Sequence, residues 1–313
     1  MAKKILSHYS PDSPVFANKK WAEDGGYISY YKCNRSSTIK KSRKGYKQWG
    51  HKKNLYKHSV ENSLDKDLEN KVGPLYEKIL KFKEFNADEK IIWSQFLMSQ
   101  LVRTPTFMKY EQFSKELYET IQEPINDRVG CEECEDLNYV VNRDWCYLLA
   151  HEDDFFIRTD NPVLQTGFIE RPETCLFYPL TPRICFLACS MSENWDAFNH
   201  KPNVICGRRL GKGTATMINF HLAKSAGESL IINPKHENEL LEKMYIDTLG
   251  VYPQPPFTLL HTYNIENEKH DQISAYVSIR ILMNYADKTK YPSWLPFELE
   301  PYYQINNQPK DIL

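Results

Sequence analysis

The sequence predicts an α+β fold in which a helical N-terminal half packs against a mostly antiparallel sheet, with further helices near the C-terminus. Apolar residues recur at spacings of three and four between residues 60 and 101, which is typical of helices. Short runs rich in β-branched and aromatic residues follow between residues 138 and 210, separated by Pro, Gly and Asn. With 313 residues and 41% hydrophobic content, the chain can bury a full-sized core.

One α+β domain is predicted over residues 1–250, and residues 251–313 are predicted to be a C-terminal extension packed on that domain. The domain divides into a basic N-terminal segment at 1–59, a helical part at 59–125, a β-rich part at 138–210 and a helical part at 217–249.

The N-terminal segment is basic and the rest of the chain is acidic. Residues 1–59 hold fourteen Lys and Arg against three Asp and Glu, so they carry +11 while the remaining 254 residues carry −12. Such a division can attract a polyanion or let the segment dock on its own domain. Residues 26–33 alternate as a strand does, and the basic stretch after them is predicted to be a loop.

Two helices are expected in the helical part. Ser59 is a candidate N-cap for a first helix whose apolar stripe continues to Ile79, and Pro74 should kink or split that helix. The sequence Asn86-Ala-Asp-Glu89 is predicted to open the second helix. Pro105 ends this second helix, unless one kinked helix runs on to about Gln122.

Five β-rich runs are predicted to form the antiparallel sheet, and Leu180-Thr-Pro-Arg183 is a predicted hairpin turn. The runs are Asn138 to Ala150, Phe155 to Arg158, Cys175 to Pro179, Ile184 to Ser190 and Val204 to Gly207. Helices should return at about Met217 to Leu230 and Glu237 to Leu249, and a last strand is expected at Ile273 to Met283.

The second helix carries polar groups in its apolar face. Trp93, Phe96 and Leu101 belong to one stripe, and Gln100 falls in the middle of it with Arg103 at its edge. A buried guanidinium needs acceptors because it cannot lose its charge. Arg103 could bridge a glutamate of the first helix, or it could line a pocket that receives an anionic ligand.

Four short motifs occur in a fixed order: His8-Tyr9-x-Pro11, Asn54-Leu55-Tyr56, Gln100-x-x-Arg103-Thr104-Pro105 and Thr159-Asp160-x-Pro162. Together they resemble the DUF4238 family of mostly bacterial proteins, over roughly residues 5 to 235. The resemblance implies a shared site that includes His8 and the helix glutamates Glu61 and Glu69, and it implies no particular reaction.

Carboxylates near that site suggest a divalent metal. Glu61, Asp65 and Glu69 lie four residues apart and form a row beside the apolar stripe of the first helix. Such a row can meet Arg103, can hold Mg²⁺ or Mn²⁺ together with Asp160, or can simply face solvent. Asp160 itself also suits a turn in which its side chain caps backbone amides.

A basic and aromatic stretch over residues 40–53 contains seven cations and no acid. Cations attract phosphates and aromatic rings stack on bases, so this composition indicates nucleic-acid binding. A solvated loop lying on the acidic body is the alternative. The candidate nucleic-acid-binding residues are Lys40, Lys41, Arg43, Lys44, Tyr46, Lys47, Trp49, Lys52 and Lys53.

Two functional classes follow from these features. The first is a metal-assisted nuclease or nucleotide hydrolase whose catalytic residues are Glu61, Glu69, Gln100, Arg103, Asp160 and His8. The second is a non-enzymatic module that binds nucleic acid or protein and uses the same polar cluster as a structural lock.

Three further features complete the sequence-based expectations. The chain starts without the apolar run of a signal peptide and contains no stretch of 18 apolar residues, which predicts a cytoplasmic protein without a membrane partner. Eight irregularly spaced cysteines predict reduced thiols. The segment Gly207-Arg-Arg-Leu-Gly-Lys-Gly213 is predicted to be a basic turn, since no strand-to-helix context is evident.

Overall fold

The structure is a computed structural model, and its helices and two mostly antiparallel sheets make it an α+β protein. The residues that it describes are 9–11, 13–33, 39–53, 68–102, 104, 135–165, 169, 174–190, 196, 198 and 206–239. The predicted Ser59 cap, the strand from Ile273 and the extension at 251–313 lie outside these residues, as does the predicted helix at 237–249 except for its first three residues, of which Glu237 is not helical.

Five helices lie in the described part of the chain. They are α1 at Val15–Lys19, α2 at Asn70–Leu80, α3 at Ala87–Val102, α4 at Glu135–Val141 and α5 at Thr214–Ser225. Short 3₁₀ turns occur at Tyr46–Gln48 and Pro234–His236. None of the helices in these ranges is long and apolar enough to cross a bilayer.

The strands of the described ranges form two larger sheets and one two-stranded pair. Their bounds are β1 Tyr9–Pro11, β2 Tyr27–Cys33, β3 Ile39–Gly45, β4 His51–Lys53, β5 Asp144–Leu149, β6 Arg158–Thr159, β7 Leu164–Gln165, β8 Leu176–Pro179, β9 Ile184–Cys189, β10 Cys206–Arg209 and β11 Ser229–Ile232. The five-stranded sheet has the order β10-β5-β9-β8-β7, the four-stranded sheet has the order β3-β2-β11-β6, and β1 pairs with β4. All pairs are antiparallel except β10 with β5.

Both faces of the five-stranded sheet are buried, because alternate side chains enter two different cores. Trp145, Tyr178 and Phe186 face the first core, which α2, α3 and α4 cover. Cys185 and Leu187 face the second core, where α5 and the four-stranded sheet pack. Cysteines 146, 175, 185 and 189 form no disulfide and are buried in this second core, as expected for reduced thiols.

The predicted start of the second helix is confirmed by its hydrogen bonds. The Glu89 amide donates to Asn86 Oδ1 at 2.9 Å, and the Asn86 amide donates to Glu89 Oε2 at 2.9 Å. This reciprocal pair is a capping box, which satisfies two amides that have no partner within the helix. The helix α2 runs through Pro74 instead of splitting there.

Three local expectations differ from the structure. The basic stretch after β2 is a strand, β3, because it pairs along its whole length with the apolar β2. The run from Asn138 is helical to Val141, and the strand β5 begins only at Asp144. The predicted helix at 217–230 ends at Ser225, since Ala226 is extended and Ser229 to Ile232 pair between β2 and β6 as β11.

The loop before α5 also differs from its prediction. Strand β10 ends at Arg209 and α5 starts at Thr214, so the basic Gly-rich segment does connect a strand to a helix. Gly213 adopts φ +84°, and its amide donates to Asp154 Oδ2 at 2.5 Å. A carboxylate of the protein itself therefore occupies the start of α5, and burial raises the pKa of that carboxyl group.

Candidate functional site

The predicted site residues fall into two groups. Gln100, Asp160 and Glu69 are described, and Glu69 lies partly exposed directly before α2. His8, Glu61 and Arg103 lie outside the described residues. The predicted convergence of these six side chains therefore stays a prediction.

The polar positions on α3 are buried, as their spacing predicts. Gln100 is fully buried and Thr104 is 1% exposed, while Trp93, Phe96 and Leu97 are fully buried around them. One turn before Gln100, the Phe96 ring meets the Tyr178 ring edge-on, with centroids 5.7 Å apart. Because residues four apart share a helix face, Gln100 lies on the face of α3 that approaches β8.

Asp160 caps the connection between α5 and β11. Its carboxylate accepts hydrogen bonds from the amides of Gly227, Glu228 and Ser229 at 2.8, 2.7 and 3.0 Å. The neighbouring Asn161 donates through Nδ2 to the Ser225 carbonyl, and Thr159 donates to the Asn161 carbonyl at 2.6 Å. The Thr159-Asp160-x-Pro162 motif thus organises the distant turn that leads into β11, whereas the sequence suggested capping of nearby amides within the Asp-Asn-Pro turn itself.

The sequence interpretation missed Arg158, which is a fully buried arginine of β6. Its Nη1 donates to the Pro179 carbonyl at 3.2 Å, and its Nη2 donates to the Tyr178 hydroxyl at 2.9 Å and to Ser13 Oγ at 3.3 Å. The guanidinium carbon also lies 4.9 Å from the centroid of the Tyr178 ring. We call Arg158, Ser13 and Tyr178 the Arg158 centre.

The partners of Arg158 are all neutral. Among the described residues no carboxylate pairs with this guanidinium, and its Nε has no hydrogen-bond partner. Moving an ion from water into a protein interior costs several kcal/mol, whereas a desolvated cation–π contact returns about 2 kcal/mol. Three hydrogen bonds to neutral oxygens and one aromatic ring therefore stabilise this charge, and no described carboxylate does.

Elements from across the fold meet at the Arg158 centre. Tyr178 lies in β8, and Arg158 comes from the other sheet. Ser13 precedes α1 and donates to Asn18 Oδ1 at 2.6 Å. Tyr76 of α2 adds a further hydroxyl, which donates to the Leu180 carbonyl at 2.6 Å. Burial raises the pKa of Tyr76 well above its ordinary value, and Tyr178 raises it further while Arg158 lowers it, so the phenol stays protonated.

A signal for Arg158 was present in the sequence. Arg158 directly follows the apolar run Phe155-Phe-Ile157, and strand periodicity places it on the same face as the buried Phe156. A charged residue in a buried strand position needs hydrogen-bond or charge partners, as the sequence indicated for Arg103 on its helix. No comparable signal in the sequence distinguishes Ser13 or Tyr178.

The basic stretch forms an edge strand whose two faces differ in charge pairing. On one face Lys41 binds Glu237 at 2.8 Å, and Arg43 binds Glu23 at 3.3 Å. Partial burial alone would raise the pKa of Glu237, but hydrogen bonds from Lys41 and Ser29 lower it overall. The contacts of Lys41 and Arg43 with Glu237 correspond to docking of the basic segment on its own domain, whereas Glu23 belongs to the segment itself.

The other face presents Lys40 and Lys44 beside Tyr30 and Lys32, and we call these four residues the β3 surface. Lys40 lies directly opposite Lys32 in the β2–β3 pairing, and Lys44 Nζ lies 4.2 Å from the centre of the Tyr30 ring. Lys32 is 3.8 Å from Glu228, while Lys40 and Lys44 have no carboxylate partner within the described ranges. Like charges directly opposite each other destabilise a strand pair, so the β3 surface favours an added anion.

Other residues of the predicted nucleic-acid surface have different positions. Lys47 lies over the ring of Tyr46, at 5.9 Å from its centroid. Trp49 is only 3% exposed and belongs to the second core, because its large apolar ring packs there, so it does not present a face for base stacking. Lys52 and Lys53 lie on β4 and pair with β1 through their backbones.

No group of three His, Cys, Asp or Glu side chains that could hold a metal ion occurs in the part of the chain that the structure describes. Glu61 and Asp65 lie outside that part, so the predicted Mg²⁺ or Mn²⁺ site stays a prediction. The site as described instead consists of a buried cation with hydroxyl neighbours and a separate basic surface on which Lys40 is exposed while Lys32 and Lys44 are partly buried.

Comparison with known proteins matches the chain to one family. The family model described as "Protein of unknown function (DUF4238)" matches residues 14–236. The chain belongs to the DUF4238 family. The DUF4238 match includes Arg158, Tyr178 and the whole β3 surface. No curated protein and no solved structure matches the chain.

Proposed function

We propose that the protein is a cytoplasmic, non-enzymatic nucleic-acid-binding protein that uses the β3 surface to contact single-stranded RNA or DNA. The observation that carries this proposal is the pairing of Lys40 with Lys32 beside Lys44 and Tyr30. Two lysines in register repel each other in the free protein, and a phosphate placed between them relieves that repulsion. Tyr30 packs against the second core and holds Lys44 over its ring, so the contact with nucleic acid rests on charge. The cytoplasmic location rests on the buried, reduced cysteines.

A structural role for these lysines is the competing interpretation. The strand β3 lies at the edge of its sheet, and lysines on edge strands prevent pairing with other chains. Such lysines need no ligand, so removing them should promote self-association without affecting any binding. The two interpretations therefore differ in a measurable way.

The experiment is fluorescence polarisation with labelled single-stranded RNA and DNA, titrated with the full chain at several NaCl concentrations. We expect the wild type to bind with an affinity that falls steeply as salt rises. The variant Lys40→Gln/Lys44→Gln should bind more weakly, and the slope of log K against log salt should decrease by about 1.4, because each neutralised phosphate contributes about 0.7 for single strands.

The matched control is Lys81→Gln/Lys83→Gln, which removes the same charge from two exposed lysines after α2. Its affinity and salt slope should equal those of the wild type. Equal losses in both variants, or no binding by the wild type at low salt, would contradict the proposal. Cleavage of the labelled strands with Mg²⁺ or Mn²⁺ would favour the predicted hydrolase instead.

A further inference from the structure

Two cysteines at the open end of the β8–β9 hairpin face each other across the strands. Leu176 pairs with Ala188 in this hairpin, so the next position outward brings Cys175 opposite Cys189. Both side chains enter the second core, and a hydrogen bond joins their thiols. Cys175 is 3% exposed and Cys189 is 1% exposed. The two sulfurs therefore lie in contact in the protein interior, with no disulfide between them.

The backbone pattern of β9 makes these cysteines a close pair. In an antiparallel sheet, successive residues of a strand bond to opposite neighbouring strands. The Leu180 amide donates to the Ile184 carbonyl at 2.9 Å, so even-numbered residues of β9 bond to the β8 side and odd-numbered residues bond to β5. Cys175 and Cys189 therefore form a non-hydrogen-bonded pair. The Cα atoms of such pairs lie about 4.5 Å apart, within the range of about 4.4 to 6.8 Å that a disulfide spans.

The other described cysteines of this core have less suitable positions. Cys146 of β5 lies opposite the leucine midway between Cys185 and Cys189, so it is diagonal to both. Diagonal positions are about 7 to 8 Å apart, which is beyond the reach of a disulfide in an unchanged backbone. Cys185 lies opposite Pro179 in the β8–β9 pairing. Among the described cysteines, the strand register therefore gives disulfide geometry to Cys175 and Cys189 alone.

We propose that Cys175 and Cys189 are a redox-sensitive site, which forms a disulfide when the protein meets hydrogen peroxide and returns to two thiols when a dithiol reduces it. The reaction proceeds through a sulfenic acid. The Cys175 thiolate attacks one peroxide oxygen, the O–O bond breaks, and the departing hydroxide takes up the released proton to become water. The Cys189 sulfur then attacks the sulfenic sulfur, and the S–O bond breaks to release a second water that carries the Cys189 proton. The two thiols lose two protons and two electrons, and the peroxide is reduced to two molecules of water.

The surroundings of the pair assign the two roles and make the reaction slow. The hydrogen bond with Cys175, together with burial, raises the pKa of Cys189 well above its ordinary value, so Cys189 keeps its proton and Cys175 is the attacking sulfur. Because both thiols are buried, peroxide reaches them only when this end of the hairpin opens locally. The pair therefore responds to sustained oxidation and stays reduced otherwise. Packing as small apolar side chains is the competing interpretation of these cysteines.

The experiment uses the full wild-type chain and does not depend on nucleic-acid binding. The protein is incubated with hydrogen peroxide well below its melting temperature, the remaining thiols are alkylated in denaturant, and the peptides are fragmented in a mass spectrometer. We expect a Cys175–Cys189 linkage that dithiothreitol reverses, while Cys185 is recovered in alkylated form. Thiols that all remain open to alkylation, sulfinic acids without a linkage, or a linkage between another pair would overturn the proposal.

The second measurement is the melting temperature before and after peroxide treatment. A disulfide between these positions closes a loop of 15 residues and restricts the unfolded chain, so we expect the melting temperature to rise by about 5 °C. Cys175→Ala should abolish the rise. Cys185→Ala, the matched control, removes a buried thiol from the same face of the sheet and should keep the rise. An equal rise in Cys175→Ala would assign the stabilisation to another oxidised residue and contradict the proposal, and the linkage in the wild type decides it even if a variant folds poorly.

Discussion

The Arg158 centre and the β3 surface both carry positive charge, but they differ in how far that charge is exposed to water. Arg158 is fully buried, so each of its contacts acts in a medium of low dielectric constant. Lys40 of the β3 surface is exposed, and at about 0.1 M salt its interactions are largely screened beyond about 10 Å. One buried guanidinium therefore demands a specific partner, whereas the exposed lysines act collectively and weakly.

This difference separates two kinds of recognition. A buried cation is matched by groups placed for shape and hydrogen bonding. An exposed basic strand attracts any polyanion and discriminates mainly by charge density. The acidic partners Glu23 and Glu237 show that part of this strand is already neutralised within the domain, so only the face with Lys40 and Lys44 is left for a partner.

The largest expected effect tests whether burial makes polar contacts costly to lose. Asp160→Ala removes the acceptor of three amides in the α5–β11 turn. Hydrogen bonds to a charged group contribute about 1.5 to 3 kcal/mol each, and the losses partly compensate one another, so we expect the free energy of unfolding to fall by about 3 kcal/mol. Urea unfolding measures the change. The control Asp24→Ala removes a fully solvated carboxylate and should change little, and a loss in Asp160→Ala no larger than in this control would contradict the expectation.

A half-buried group should show an intermediate effect. Glu89 closes the capping box of α3 and binds Lys78, and Glu89→Ala should cost about 1 kcal/mol at neutral pH. The hydrogen bond from Lys78 lowers the pKa of Glu89 below its ordinary value of 4.5, against the effect of burial. A lowered pKa means that the stabilisation is present above pH 4.5 and is lost as the pH falls through the pKa of the folded state.

Urea unfolding of wild type and Glu89→Ala at several pH values tests this intermediate effect. The difference between the two proteins should shrink as the pH falls below 4.5. Glu84→Ala, at an exposed position two residues before Asn86, is the control and should show little difference at any pH. A difference that grows on acidification would show that the carboxylate form of Glu89 does not stabilise the helix.

The smallest expected effect is at the β3 surface. The variant Lys40→Gln/Lys44→Gln should change the free energy of unfolding by less than about 0.5 kcal/mol, because exposed charges contribute little to stability. The sign should be stabilising if the repulsion between Lys32 and Lys40 dominates. Thermal unfolding at low and high salt measures this, and a loss above 1 kcal/mol would show that this face is buried against another part of the chain.

Several parts of the fold were predictable because they depend on local patterns. The capping box at Asn86 and Glu89, the hairpin at Leu180 to Arg183 and the burial of Gln100 all follow from residues a few positions apart. Strand β3 was not predictable in this way, because its Lys-rich sequence gains its conformation from pairing with β2. The sequence predicted β11 to be the end of a helix. It forms a strand because it follows the turn that Asp160 organises from 67 residues earlier in the chain, which no local pattern indicates.

The sequence predicted what kind of residue the candidate site contains, but not which residues form it. The sequence indicated a buried arginine that needs partners, and it indicated this for Arg103 on a helix. The described structure shows a buried arginine with neutral partners at Arg158, whose neighbours Ser13 and Tyr178 come from 145 and 20 positions away. No local spacing relates those three residues.

The amino-acid sequence alone determined the fold class, the family, the basic character of the N-terminal segment and the burial of the α3 face, because hydrophobic periodicity and composition act over short distances. Tertiary structure alone decided which cation lies in the interior and which oxygens surround it. The reason is that burial and charge compensation depend on where distant strands and helices meet, and at the Arg158 centre two sheets and the segment before α1 meet around one guanidinium.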